Sequence, residues 1–284
     1  MKRQLLITAE ELLAAQENDA CIVIDCRFVL SDTGSGFRNY LKSHIPGAFY
    51  AHLDDDLSSP VTNSSGRHPL PAADEFAVFL ARCGWQSGKK LVAYDDADGS
   101  IAARLWWLMK YFGYDNAALL DGGFSAWKSA GFELESGQVT ATVTAPANFK
   151  ISDELVMSTQ AIVESLGEDN MVLVDVRAAE RFRGEIEPID TVAGRVPGAV
   201  NYPFQSCVTQ SGRFKMAQEI RKELQALSGS HQSGHMVYMC GTGVTACHTI
   251  FAAELAGLPG SKLYAGSWSE WIRDPSRPVV SGSG

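Results

Sequence analysis

The chain has 284 residues, about twice the roughly 100–150 of a common domain, and is therefore expected to fold as two domains. Its net charge of −9, without a dense Lys/Arg run, weighs against nucleic acid as a partner. No apolar stretch approaches the ~18–20 residues of a membrane span, and Thr8, Glu10 and Glu11 interrupt any export signal, so the expectation is a soluble cytoplasmic protein that acts on a small molecule.

In chain order, CIVIDCR (21–27) opens with a nearly continuous β-branched run at 21–24, as in a strand buried on both faces of a parallel sheet. HIPGAFY (44–50), HLDDDL (52–57) and GRHPLP (66–71) follow, then an amphipathic helical pattern over 73–83. LVAYDD (91–96) supplies a second buried strand, 101–112 a second helix, and LLDGGFSAW (119–127) a glycine turn. Near 133–158 helical period is lost and Thr, Ser and Ala accumulate, which predicts a linker over 136–157 between domains at 1–135 and 158–284.

The second half repeats the plan: MVLVDVR (171–177), RVPGAVNYP (195–203), MVYMCGTGVTA (236–246) and LYAGSWSEW (263–271), with helical patterns over 217–227 and 245–256. Four landmarks recur in the same order. Strands alternating with helices predict an α/β fold of two tandem domains, each a parallel sheet flanked by helices, with sites at the carboxyl ends of the strands.

The cysteines, at 21, 26, 83, 207, 240 and 247, have neither CxxC pairs nor histidine spacing suited to zinc, so free thiols and no metal are expected. Cys240 alone has unusual surroundings. It ends a buried strand and precedes Gly241, Thr242, Gly243, Val244 and Thr245, after which a helix begins. Two glycines let the backbone curl with its N–H groups inward, and the helix N-terminus adds positive potential, so this ring is expected to hold Cys240 as a nucleophilic thiolate. Cys247 lies inside the helix and reads as a packed core thiol; Cys26, at a strand end, reads as structural. A cysteine phosphatase would need an arginine six residues after the nucleophile to grip phosphate, and here that position is Ala246.

The tandem repeat, the D-x-R and PGA pairs, the loop CGTGVTA (240–246) and the closing GSWSEW (266–271) together resemble the two-domain rhodanese and 3-mercaptopyruvate sulfurtransferase family. The resemblance covers nearly the whole chain. It implies two rhodanese-like domains, only the second catalytic, because Asp95 stands where the first would carry its cysteine. It also implies a sulfurtransferase that takes sulfur from a small anionic donor onto Cys240 and passes it to a thiol, such as a reduced dithiol protein, or to cyanide, without a cofactor.

Gly241 and Thr242 are similar to the mercaptopyruvate type, whereas the thiosulfate type carries two basic residues there. A loop without cations suits a monoanionic keto acid better than doubly charged thiosulfate. Arg181, in ERFRGEIEP, aligns with a family arginine that binds the donor's anionic group; a surface pair with Glu180 or Glu185 is its plainer reading, and Arg183 is a weaker candidate. The second substrate arginine of the mercaptopyruvate type is replaced by Ile189, so that cation would have to come from Arg195 or elsewhere, and thiosulfate stays open as the donor. The resemblance further implies that His68, from the first half, acts on the Thr242 hydroxyl, with Asp54 or its neighbour Asp55 as the third member of a relay. His44 and Arg195 are expected to hold the PGA turns through backbone carbonyls, and the tryptophans to pack cores. A non-catalytic sulfur carrier or binding module is the alternative from another class.

Overall fold

The computed structural model describes residues 4–96 and 98–282. They form two compact units. The first comprises Met1–Ser59, Leu70–Ser152 and Gln210–Phe214, and the second Pro60–Pro69, Asp153–Thr209 and Lys215–Gly284.

Unit one runs β1 (Leu6–Ile7), α1 (Ala9–Glu17), β2 (Cys21–Asp25), α2 (Ser35–Lys42), β3 (Phe49–Tyr50), α3 (Ala73–Arg82), β4 (Lys90–Tyr94), α4 (Ala102–Tyr111), β5 (Ala117–Leu120) and α5 (Gly123–Ser129). Its strands are all parallel, in the order β1-β5-β4-β2-β3. Unit two runs α6 (Thr159–Glu164), β6 (Val172–Asp175), α7 (Ala179–Phe182), β7 (Val200–Asn201), α8 (Ala217–Ser228), β8 (Met236–Met239), α9 (Thr245–Leu255), β9 (Lys262–Leu263) and α10 (Ser267–Trp271). Its parallel sheet has the order β7-β6-β8-β9, the same arrangement without a counterpart of β1. At that edge Val156 makes a single parallel bridge to Leu263. Between 138 and 152 the chain has neither helix nor strand, and Thr144 ties it to unit one by donating to the carbonyl of Ala81.

The β-branched runs become central strands because both faces are covered. Val23, Val92, Tyr94, Phe124 and Trp127 bury together in unit one, and Leu173, Val237, Met239, Trp268 and Trp271 in unit two. The register aligns the two halves: Asp25 pairs with Tyr94, and Asp175 with Met239, the residues that precede Asp95 and Cys240. Each sheet therefore delivers its D-x-R aspartate and its loop to the same carboxyl edge.

Each D-x-R forms a buried ion pair. Arg27 grips Asp25 through Nε and Nη2 (2.9 and 2.6 Å to Oδ2), and Arg177 grips Asp175 likewise (3.0 and 2.6 Å). The same Nη2 donates to Ser43 O in unit one and Gly194 O in unit two, just before each PGA turn. The guanidinium carbons lie 4.3 Å from the Phe124 ring centroid and 4.7 Å from that of Trp268. His44 and Arg195 do bond backbone carbonyls, of Tyr40 (2.7 Å) and Gly282 (2.6 Å), but neither carbonyl belongs to a PGA turn. The D-x-R arginine takes the tethering role expected of them.

Candidate active site

The Cys240 loop caps the carboxyl end of β8 and leads into α9. Gly243 adopts φ +77°, and a β-carbon there would lie 2.4 Å from Ala265 O, so both the turn and the close approach require glycine. The resulting curl directs two amides at the thiol. Gly243 N–H donates to Cys240 Sγ at 3.1 Å and Thr242 N–H at 3.4 Å. Val244 precedes the helix and half-buried Thr245 begins it, and the N–H groups of a first helical turn have no intrahelical acceptor. Cys240 is only 2% exposed, so its sulfur lies at the floor of the loop, shielded from bulk water.

The GSWSEW segment holds this loop from the other side. Cys240 N–H donates to Ser267 Oγ (3.1 Å), Trp268 N–H to Cys240 O (3.0 Å) and Ser269 N–H to Gly241 O (2.9 Å). Ser267 carries φ +53°, an unfavourable backbone for a non-glycine residue, and its hydroxyl also donates to Tyr264 O. Cys247 donates its S–H to Gly243 O at 3.2 Å and is fully buried, consistent with a packing thiol. Among the described residues all six cysteines are free and buried. Burial pushes the thiols of Cys21 and Cys26 up, and those of Cys83 and Cys207 to about 12, which keeps these four protonated near neutral pH.

Arg181 does not pair with Glu180 or Glu185. Its Nη2 lies 2.7 Å from Glu187 Oε1 and 3.1 Å from Asp190 Oδ2, and its Nε bonds both Glu187 oxygens. Burial acts to raise the Glu187 pKa, but Arg181 and the amides of Asp190 and Ile189 outweigh it and leave it below the usual carboxylate range. Arg183 makes a surface pair with Glu185, and Ile189 is exposed. Arg195 Nη1 is committed to Gly282 O, and its guanidinium stacks over Phe182.

His68 belongs to unit two with the Cys240 loop, although it comes from the first half of the sequence. Pro60–Pro69 is secured within that unit. Arg67 N–H donates to Ser269 Oγ (3.1 Å), Arg273 Nε donates to Ser65 O (3.2 Å), and a β-carbon on Gly66 would lie 2.6 Å from Gly266 O. His68 and Thr242 are both buried. Asp54 is half-buried in unit one, where its N–H bonds His52 Nδ1 at 3.3 Å, and Asp55 is exposed. Sequence reasoning missed Arg67, Asp190, Glu187 and Ser267. The signals were the arginine beside His68 and the carboxylates three residues apart in EPID (187–190).

In unit one, Asp95 fills its loop with a built-in anion. Its carboxylate accepts from the amides of Gly99 (2.9 Å), Ile101 (2.9 Å) and Ala102 (3.1 Å), and burial, opposed by these bonds, pushes its pKa up to about 6. A carboxyl raised above its unfolded value of ~3.9 binds more protons in the fold, so its contribution to stability falls as pH rises from about 4 to about 6. Asp95→Asn should therefore carry its largest stability penalty at pH 4, shrinking by roughly 3 kcal/mol towards pH 7. Urea melts of both proteins across that range check this; a penalty that grows with pH would mean that the three amides, rather than burial, dominate.

The chain matches the rhodanese-like domain family over residues 8–130 and 158–274. It is 43% identical over 286 residues to a probable 3-mercaptopyruvate sulfurtransferase of Pseudomonas aeruginosa, covering 99% of this chain and 100% of the relative. It is 37% identical over 284 residues to a putative thiosulfate sulfurtransferase of Mycobacterium tuberculosis, covering 99% and 98%. The solved 3-mercaptopyruvate sulfurtransferase from Leishmania major superposes with a TM-score of 0.83 at 31% identity, over 97% of this chain and 76% of that one. The chain belongs to the rhodanese-like family, with two copies of its domain. Within that family it is a sulfurtransferase.

Proposed function

We propose that the enzyme carries sulfur as a persulfide on Cys240, with 3-mercaptopyruvate as the preferred donor. The Cys240 thiolate attacks the donor's sulfur; the new S–S bond forms as the C–S bond breaks, its electrons passing to the pyruvate enolate. The donor's thiol proton ends on that carbon, giving pyruvate and an anionic persulfide. Thr242 and His68 are the groups proposed to hold and move this proton. Cyanide or a thiol acceptor then attacks the outer sulfur and returns the thiolate.

The observation that carries this reading is the pair of amides, from Thr242 and Gly243, aimed at Cys240 Sγ. Fixed N–H dipoles in a site shielded from water stabilise negative charge on sulfur without reorganising as it moves. Burial holds four of the other cysteines as thiols. Among the described residues no group of His, Cys, Asp or Glu is placed to hold a metal, and no step requires one.

Intact-mass measurement after incubation with mercaptopyruvate, and separately with thiosulfate, tests the reading. The expected result is a gain of one sulfur, faster with mercaptopyruvate, that peptide mapping places on Cys240 and cyanide removes. Sulfur on another cysteine, or none with either donor, would sink it.

A further inference from the structure

Arg67 is held beside the Cys240 loop through its backbone N–H, which donates to Ser269 Oγ, and through its guanidinium. Its Nη1 pairs with Asp190 Oδ1, and Asp190 Oδ2 takes Arg181 Nη2, so one carboxylate only 2% exposed bridges two guanidiniums. Without Asp190 the two cations would repel at close range. Both face the same spot. A β-carbon at Gly241 would lie 3.4 Å from Arg67 Nη2 and 3.8 Å from each terminal nitrogen of Arg181. Arg67 Nε is buried without a hydrogen-bond partner, and neither Arg67 Nη2 nor Arg181 Nη1 has an acceptor among the described residues. Donors at the catalytic loop are thus left over after Glu187 and Asp190 have been satisfied.

We propose that Arg67 is the second substrate-binding arginine, and that with Arg181 it clamps the carboxylate of a small keto-acid donor above Gly241. The cation that the sequence lacks at Ile189 is supplied by Pro60–Pro69. The neighbourhood explains the preference for a single negative charge: Arg67, Arg181 and Arg177 are matched by Asp190, Glu187 and Asp175, so the clamp offers directed N–H bonds with no net positive charge. Such a site recognises a planar carboxylate through geometry and gains little from a second charge on the ligand. Glycine at 241 keeps the space beneath both forks open. Asp190 is a positioning residue, because it acts through the two arginines.

This role presupposes the persulfide chemistry proposed above, so its test is made on binding as well as turnover. In a Cys240→Ser background, which cannot accept the sulfur, 3-mercaptopyruvate is titrated calorimetrically into proteins with and without Arg67→Ala. Loss of one charge-assisted contact should weaken binding about tenfold to a hundredfold, with partial recovery in Arg67→Lys. In the otherwise native enzyme, Arg67→Ala should raise the KM for mercaptopyruvate while leaving the rate at which cyanide discharges a preloaded persulfide unchanged. Equal affinities, or no binding in either protein, would overturn the clamp, as would an equal slowing of discharge. Failure of the native enzyme to gain sulfur would instead count against the proposed function, and the calorimetric comparison would still decide the role of Arg67. Asp190→Asn keeps the side-chain shape and should weaken binding in the same direction if Arg67→Ala fails to fold.

Discussion

Cys240→Ser is expected to lose sulfur transfer from mercaptopyruvate and thiosulfate by a factor on the order of 10⁴ or more, the scale seen when a covalent nucleophile is removed. The substitution isolates chemistry from structure. A serine hydroxyl can accept the same N–H bonds from Thr242 and Gly243, and the backbone bonds to Ser267, Trp268 and Ser269 do not involve the side chain. The melting midpoint should accordingly stay within about 5 °C of wild type. An alcohol remains protonated near neutral pH even in a ring of amides, so no nucleophile is present. Steady-state rates and thiocyanate release after donor exposure check both halves of the reaction. Cys247→Ser provides the contrast: that thiol donates to Gly243 O from within α9, a bond that a serine hydroxyl can also make, so its replacement should leave turnover within a few-fold. If Cys240→Ser kept a tenth of the wild-type rate, or Cys247→Ser abolished it, the assignment of the nucleophile would fall.

The parts of the site legible in the sequence are those fixed by local rules. The run at 236–239, the glycines at 241 and 243 and the helical period from 245 each dictate their own conformation, and together they determine where the Cys240 sulfur lies. The matching D-x-R, loop and closing motifs revealed the repeat because both copies must build the same sheet edge. What escaped depends on distant segments meeting. The tethering role passed to Arg27 and Arg177 because their partners, Ser43 O and Gly194 O, are far away in sequence. Arg181 could be named, but its acceptors could not: nearness in sequence pointed to Glu180 and Glu185, while the chain turns to bring Glu187 and Asp190 to it. Arg67 was hidden more deeply, since its segment lies in the first half of the sequence and packs in unit two. No local pattern announces such a placement.

Gly243→Ala should cost both stability and nearly all activity, whereas Gly241→Ala should be far milder. The two glycines are two residues apart in one loop, yet they are constrained differently. Gly243 has φ +77°, where an L-residue loses about 1–2 kcal/mol, and its added methyl would meet Ala265 O at 2.4 Å and Ala265 Cα at 3.0 Å. Ala265 is backbone next to Tyr264, whose N–H is bonded to Tyr238 O, so it has little room to retreat. The loop itself must shift, and the amide at 243 leaves the sulfur it would stabilise. Removing one such donor typically costs on the order of 10²–10³ in rate. A methyl at Gly241 faces only the side-chain ends of Arg67 and Arg181, the nearest at 3.4 Å, so the fold should hold while donor binding weakens. Thermal melts and donor titrations of the two variants separate these effects: Gly243→Ala should lower the melting midpoint and kcat, and Gly241→Ala should act mainly on KM. Wild-type kcat in Gly243→Ala would mean that the inward amide at 3.1 Å does not support the reaction, and the electrostatic basis of the proposed persulfide cycle would fail with it.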